Sequence, residues 1–267
     1  MPNIDPKPPS ALERLGIVAW ELPKASMRSS PAHRHGEAQL CGLDAGLAIL
    51  ETEAGAWTCP PGRCVWIPPN MEHSLRSCGK ISGWMVRMNI TAETALPSEP
   101  SILALTPLQR EVIVRIMTWV EDPELNASKR RLLDVFYDEI RSASSIRMHL
   151  PVPKDPALRK LALRLGESSD TAVELGALAH EAGVSERSLF RKFQQETGLS
   201  PGQWRRQAKV LRSFELLAAG RSVTETAIEV GYESIGAFSR AFREIAGLTP
   251  TEYAHTAASN HSARGPS

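Results

Sequence analysis

Two stretches near the C-terminus repeat each other closely enough to dictate the fold of that half of the chain. Leu178 to Trp204 reads LAHEAGVSERSLFRKFQQETGLSPGQW, and Thr226 to Tyr253 reads TAIEVGYESIGAFSRAFREIAGLTPTEY. Ser185, Leu189, Arg191, Phe193, Gly198, Leu199, Pro201 and Trp204 recur 49 positions later as Ser234, Phe238, Arg240, Phe242, Gly247, Leu248, Pro250 and Tyr253. Before the turn the offset is 48, from Gly183 to Gly231, so the second turn holds one extra residue. Each copy reads as a short helix, a glycine-bearing turn and a second helix. Two such units in tandem imply a chain that reads two successive segments of duplex DNA.

Local signals agree with this division. Thr171-Ala-Val-Glu174 and Ser222-Val-Thr-Glu225 match capping boxes, in which the hydroxyl accepts an amide proton and the glutamate returns to the N-cap amide. Ser185 and Ser234 are placed to cap the second helices. A connecting helix is expected from Gln203 to Ala219, about 25 Å long, with Gly220 at its C-terminal end. Leu189 and Phe193, one turn apart, predict a buried stripe, as do Phe238 and Phe242. Glu186, Arg187, Phe190, Arg191 and Gln194 then face outward in the first unit, and Ile235, Gly236, Ser239, Arg240 and Arg243 in the second.

Net charge is only +1, so the charge argument is local. Residues 185–212 carry seven bases (Arg187, Arg191, Lys192, Arg205, Arg206, Lys209, Arg212) against two acids, whereas residues 213–255 carry a net −3. Coincidence of the basic run with a helix-turn-helix favours phosphate contact over a merely solvated face.

Over residues 155–255 the two repeats, the connecting helix and the Gly-Leu-Ser/Thr-Pro-x-x-Trp/Tyr endings resemble the AraC/XylS family of transcription regulators. The resemblance implies that the two units enter adjacent major grooves on one face of the duplex. It implies base-facing roles for Arg187, Phe190 and Arg191 in the first unit, and for Ile235, Gly236, Ser239 and Arg240 in the second. Lys192, Gln194 and Arg243 are the further expected DNA contacts. Arg187 or Arg191 suits a bidentate contact to guanine, and Phe190 a thymine methyl.

The first half reads differently. Short apolar stretches such as 47–53 and 63–69 lie between turn signals at Gly42, Gly46, Gly55, Pro60-Pro61-Gly62 and Pro68-Pro69-Asn70. Even spacing of short strands predicts a β-barrel or sandwich over residues 15–100. Two helices are expected at 108–121 and about 127–144, making 101–149 a helical region that packs on the barrel or on a second subunit. Three prolines in residues 150–156 predict a stiff linker. Residues 1–14 are expected to form a flexible arm and 256–267 a disordered tail. The fold class is therefore α+β, a cupin-like barrel followed by helices and an all-α double helix-turn-helix domain at 157–255.

His33-Arg-His35, Gln39 and His73, with Ile67-Pro-Pro-x-x-x-His73, resemble the cupin fold. In cupins the expected metal ligands are His, His, Glu and His; here Gln39 stands near the place of the Glu and is a poor ligand. No metal or other cofactor is therefore expected, and His33, His35 and His73 remain the candidate ligands should one bind. Regulators of this type often sense a small molecule in a cupin domain, which implies effector contact at His33, His35, Gln39 and His73, with Trp66 lining the barrel. The bland alternative is histidines that only hydrogen-bond within the barrel. His149, His180 and His255 read as surface residues.

Cys41, Cys59, Cys64 and Cys78 form no Cys-x-x-Cys pair, and the N-terminus lacks a basic region followed by an apolar stretch. Reduced thiols and a cytoplasmic location are expected, with no membrane association. Expected partners are double-stranded DNA, a small-molecule effector, a second copy of the chain and RNA polymerase. The leading expectation is a non-enzymatic activator or repressor; the alternative is a metal-dependent cupin enzyme with an accessory DNA-binding tail.

Overall fold

The computed structural model describes residues 9–25, 28–91, 94–146, 148–167, 171–181 and 183–255. They divide into two compact units, one holding residues up to 51 together with 57–146, the other 52–56 together with 148–255. No described helix is long and apolar enough to cross a membrane.

The first unit is built on one antiparallel sheet. Its strands are β1 (Ile17–Ala25), β2 (Ala38–Thr52), β3 (Gly55–Cys59), β4 (Arg63–Ile67), β5 (Ser74–Met88), β6 (Ser101–Ala104) and β7 (Ser145–Ile146). The order is β1-β5-β2-β4-β6-β7, with β3 folded back on β2. Register assigns the two faces. Leu40 pairs with Trp66 and Val86, and all three lie in one apolar cluster with Ile113, Ile116, Phe136 and Ile140 of α2 (Pro107–Met117) and α3 (Ala127–Ser142). Gln39 pairs with Ile67 and Arg87, so these three share the opposite face, because successive side chains in a strand alternate.

Several sequence expectations change here. The sheet extends past residue 100 through β6 and β7, since Val65 and Cys64 pair with Ile102 and Leu103. The apolar stripes of the two helices cover the sheet, burying Ile113, Ile116, Phe136 and Ile140 in one cluster with the strands. The first helix ends at Met117 and passes into a 3-10 turn, Thr118–Val120. Residues 9–14 are no free arm: α1 (Leu12–Leu15) buries Leu12 and Leu15 in the same cluster. Residues 1–8 and the expected disordered tail at 256–267 lie outside the described residues.

The second unit contains β8 (His149–Pro151), which pairs with β3, whose Gly55 and Ala56 belong to this unit, and α4 (Pro156–Glu167), α5 (Thr171–Glu181), α6 (Glu186–Thr197), α7 (Pro201–Ala218), α8 (Val223–Glu229) and α9 (Ile235–Ala246). The proline-rich segment is fastened rather than spacer-like. Trp204 Nε1 donates to Pro151 O at 2.7 Å, and the Glu196 carboxylate accepts from Lys154 N and Asp155 N. His149, expected on the surface, is half-buried beside Gly55, and desolvation lowers its pKa to about 4.

The repeat is visible as repeated packing. Phe193 meets Trp204 with ring centroids 6.2 Å apart; Phe242 meets Tyr253, the counterpart pair, also at 6.2 Å. Gly198 and Gly247 end α6 and α9 with φ of 71° and 77°, a left-handed conformation that only glycine adopts without strain. Immediately afterwards Ser200 with Gln203, and Thr249 with Glu252, close equivalent capping boxes. The Ser222–Glu225 box forms as read, whereas the side chains of its expected counterpart at 171–174 lie outside the described residues. Replacing Ser222 with Ala strands the Glu225 amide and should destabilise α8 by about 0.5–2 kcal/mol. Hydrogen exchange at α8 amides measures it; unchanged protection would show that the box contributes nothing.

Candidate functional site

In the second unit, two helices present comparable exposed faces. Leu189, Phe193, Phe238 and Phe242 are buried, at 3%, 0%, 0% and 0% exposure, so each second helix docks by its expected stripe. Arg187, Arg191, Lys192 and Gln194 are exposed on α6, as is Phe190 at 38%. On α9, Ile235 (46%), Gly236, Arg240 and Arg243 are exposed and Ser239 is half-buried. Ser185 and Ser234 cap the two helices by accepting from Ser188 N and Ala237 N, each at 3.2 Å.

α7 packs against α4, α5 and α6 on one side of the repeat and α8 and α9 on the other. At 18 residues it is about 27 Å long, an unbroken spacer.

Six of the seven bases of the run fall into two groups. Arg206 pairs with Glu244, binding α7 to α9, and Arg212 pairs with Glu215. Lys209 donates to Gly231 O at 2.8 Å and lies 5.5 Å from the Tyr232 ring centroid; burial, then Arg205, lowers its pKa. Lys209 thus fastens the second turn to α7, Arg206 fastens α9 to it, and Arg212 pairs within α7 itself. Arg187, Arg191 and Lys192 form no ion pair among the described residues.

The first unit brings the three expected histidines together. His33 and His73 form an antiparallel bridge, each amide donating to the other's carbonyl at 2.9 Å. Ring centroids are 4.5 Å apart for His33 and His73, 5.0 Å for His35 and His73, and 5.7 Å for His33 and His35. One ligand nitrogen from each lies within 4.8 Å of the others. Every Nδ1 is 2.8–2.9 Å from a backbone carbonyl two residues away: His33 to Pro31, His35 to Glu37, His73 to Met71.

Gln39 is fully buried, and neither amide atom has a hydrogen-bond partner. Sequence reasoning missed one neighbour, Arg87. Glu37 Oε2 lies 3.6 Å from His35 Nδ1 and 3.7 Å from Arg87 Nη1, and Arg87 is only 4% exposed. The signal was an arginine inside the apolar run Met85-Val-Arg-Met88. Trp66, expected inside the barrel, lies on the helix-covered face and donates through Nε1 to Pro97 O. It alternates out of the Gln39 row because it pairs with Leu40.

A family model described as "AraC-like ligand binding domain" matches residues 22–165, more than half of the chain, and one described as "Helix-turn-helix domain" matches residues 178–256. The HTH-type transcriptional regulator NimR of Escherichia coli K12 is 32% identical over 228 residues, covering 84% of this chain and 82% of its own. The HTH-type transcriptional activator RhaR of E. coli K12 is 33% identical over 106 residues, covering 39% of this chain and 38% of its own. Among solved structures, fatty-acid-bound ToxT from Vibrio cholerae is 14% identical, covers 90% of this chain and 94% of its own, and gives a TM-score of 0.36.

Proposed function

The chain belongs to the AraC family of transcription regulators, joining a ligand-binding domain to a helix-turn-helix DNA-binding domain, and from that premise we propose how it reads DNA and where it senses its effector. α6 and α9 enter adjacent major grooves. Arg187 and Arg191 read base edges, Phe190 meets a thymine methyl, Lys192 and Gln194 contact the backbone, and α9 contributes Ile235, Gly236, Ser239, Arg240 and Arg243. The carrying observation is that the same caps and the same buried stripe expose the corresponding side of both helices.

The two readers are unequal. α6 offers two uncommitted arginines one turn apart, whereas α9 begins with Ile235 and Gly236, which have no side-chain hydrogen-bond donors or acceptors. Discrimination rests mainly on α6, with α9 contributing shape and methyl contacts. The effector site is the cluster of His33, His35, Gln39 and His73, and two chains pair in solution. The protein is a regulator, not an enzyme.

Footprinting of the DNA flanking the gene tests the first part: protection should span two successive major grooves per chain. A single protected groove would overturn the two-reader arrangement. Promoter affinity with and without a ligand that binds the first unit tests sensing, because a ligand shifts an equilibrium only by its differential affinity for the two states. Equal affinities for every such ligand would remove the effector role.

A further inference from the structure

We propose that Lys209 is a positioning residue for DNA reading: from α7 it fixes the end of α9 that enters the groove, and so sets the base contacts of the second unit. This role rests on the two-groove reading above. Two fastenings hold α9 to α7, one near each end. Toward its C-terminal end, Phe242 lies 4.4 Å from Phe214 of α7 between ring centroids, and Glu244 pairs with Arg206 of α7. The N-terminal end, whose residues meet bases in a helix-turn-helix, follows the turn at 231–234. Lys209 Nζ reaches that turn, donating to Gly231 O at 2.8 Å and lying 5.5 Å from the Tyr232 ring centroid. Tyr232 in turn meets Phe238, in the first turns of α9, at 5.5 Å. Arg206 and Lys209, three residues apart, share one side of α7, so a single helix face holds both ends of the second reader.

The chemistry of the contact suits a clamp. α8 ends at Glu229, and Gly231 follows with φ of 74°; its amide donates to Ile228 O, and that of Tyr232 to Ala227 O. Carbonyls beyond such a helix end lie at the negative pole of the helix, where an ammonium ion is stabilised. Lys209 is half-buried, which shields the hydrogen bond from part of the competing water. A Cβ on residue 231 would lie 3.0 Å from Nζ, a measure of how closely the cation approaches the backbone.

The first repeat supplies an internal comparison. Lys160 stands 49 positions before Lys209, on α4, which packs on α5 and α6 as α7 packs on α8 and α9. Lys160 pairs with Glu181 at the end of α5, and nothing described lies within 4 Å of the Cβ position of Gly183, the counterpart of Gly231. The equivalent cation is thus directed to a side chain in the first repeat and to the backbone of the turn in the second. The second turn is the one with the extra residue. Holding its backbone keeps the start of α9 in phase with α6. Without Lys209 the aromatic cluster still docks α9, but its N-terminal end is free to pivot.

Lys209→Met and Lys209→Arg in the full-length chain, on the promoter fragment that the wild type protects, provide the test. Gel-shift titrations use the natural site and single base-pair substitutions in each protected groove, at two salt concentrations. Lys209→Met should bind the natural site about tenfold more weakly, the scale of one hydrogen bond to a charged group. It should lose its ranking of substitutions in the α9 groove and keep that in the α6 groove. The salt slope should stay at the wild-type value, since no phosphate contact is lost. Lys209→Arg, which retains the charge and a donor, should restore the ranking. Hydrogen exchange should show wild-type protection of α9, with faster exchange confined to the 231–234 turn. A slope lower by about one would make Lys209 a phosphate contact and overturn the positioning role. Protection lost throughout α9, or an unchanged ranking in Lys209→Met, would overturn it as well. Each of these results leaves the two-groove reading standing, whereas a wild-type chain that protects no DNA removes that reading and this role together.

Discussion

Phe242→Ala is expected to destabilise the second helix-turn-helix by about 3–5 kcal/mol, enough to detach it from α7 under native conditions. Phe242 is fully buried and lies at the centre of an aromatic cluster. Its ring centroid is 4.4 Å from Phe214, 5.8 Å from Phe238 and 6.2 Å from Tyr253. Phe214 belongs to the connecting helix, Phe238 to α9 and Tyr253 follows α9, so the truncated ring removes contacts that hold all three segments. The surrounding rings are large and planar and cannot collapse into the space without giving up their own contacts. The ion pair between α9 and α7, Arg206–Glu244, is exposed and of the kind worth about 0–1 kcal/mol. Hydrogen exchange should therefore show lost protection across α8 and α9 while α4 to α6 keep theirs, and the footprint should shrink to one groove. Phe193→Ala should produce the mirror result in the first repeat. Native-like protection of α9 in Phe242→Ala would show that the cluster is not what binds the second unit to the spacer.

Much of the second unit was legible because its constraints are local and occur twice. A serine before a helix, an apolar pair one turn apart, and a glycine after the last turn are each readable within a dozen residues. Their recurrence at a 49-residue offset turns weak signals into one strong one. The fate of the basic run was not legible, since Glu244 and Gly231, the partners of Arg206 and Lys209, lie 38 and 22 residues away. Charge counting cannot distinguish a cation held by the fold from one available to phosphate. In the first unit the histidines were legible as a set, but their surroundings were not. Whether Trp66 or Gln39 faces inward depends on strand register, and a one-residue difference exchanges the faces. The proline-rich segment misled for a related reason. Proline excludes helix but not an extended strand or a docked carbonyl, and Pro151 uses its oxygen to accept from Trp204.

The largest effects on DNA affinity should come from α6. Arg187→Ala and Arg191→Ala are each expected to weaken specific binding by about 1–3 kcal/mol, with most of the loss appearing as failure to reject a substituted guanine. Both side chains are exposed, and neither is engaged by an acid among the described residues, so each reaches DNA without first breaking such a pair. Arg206 illustrates the contrast: its guanidinium is already occupied by Glu244, and its removal should act through the α7–α9 junction rather than through bases. Lys192 separates base reading from phosphate holding. Lys192→Ala should weaken binding to all sequences alike and lower the salt slope by about one, whereas the two arginine variants should change the preference among operators more than the slope. Gel-shift titrations on the natural site and on single guanine substitutions, at two salt concentrations, distinguish these outcomes. If both arginine variants kept the wild-type ranking of operators, sequence reading would have to pass to α9. There only Ser239, Arg240 and Arg243 offer hydrogen bonds, so the exposed Ile235 and Gly236 would need a role in shape recognition stronger than their chemistry suggests.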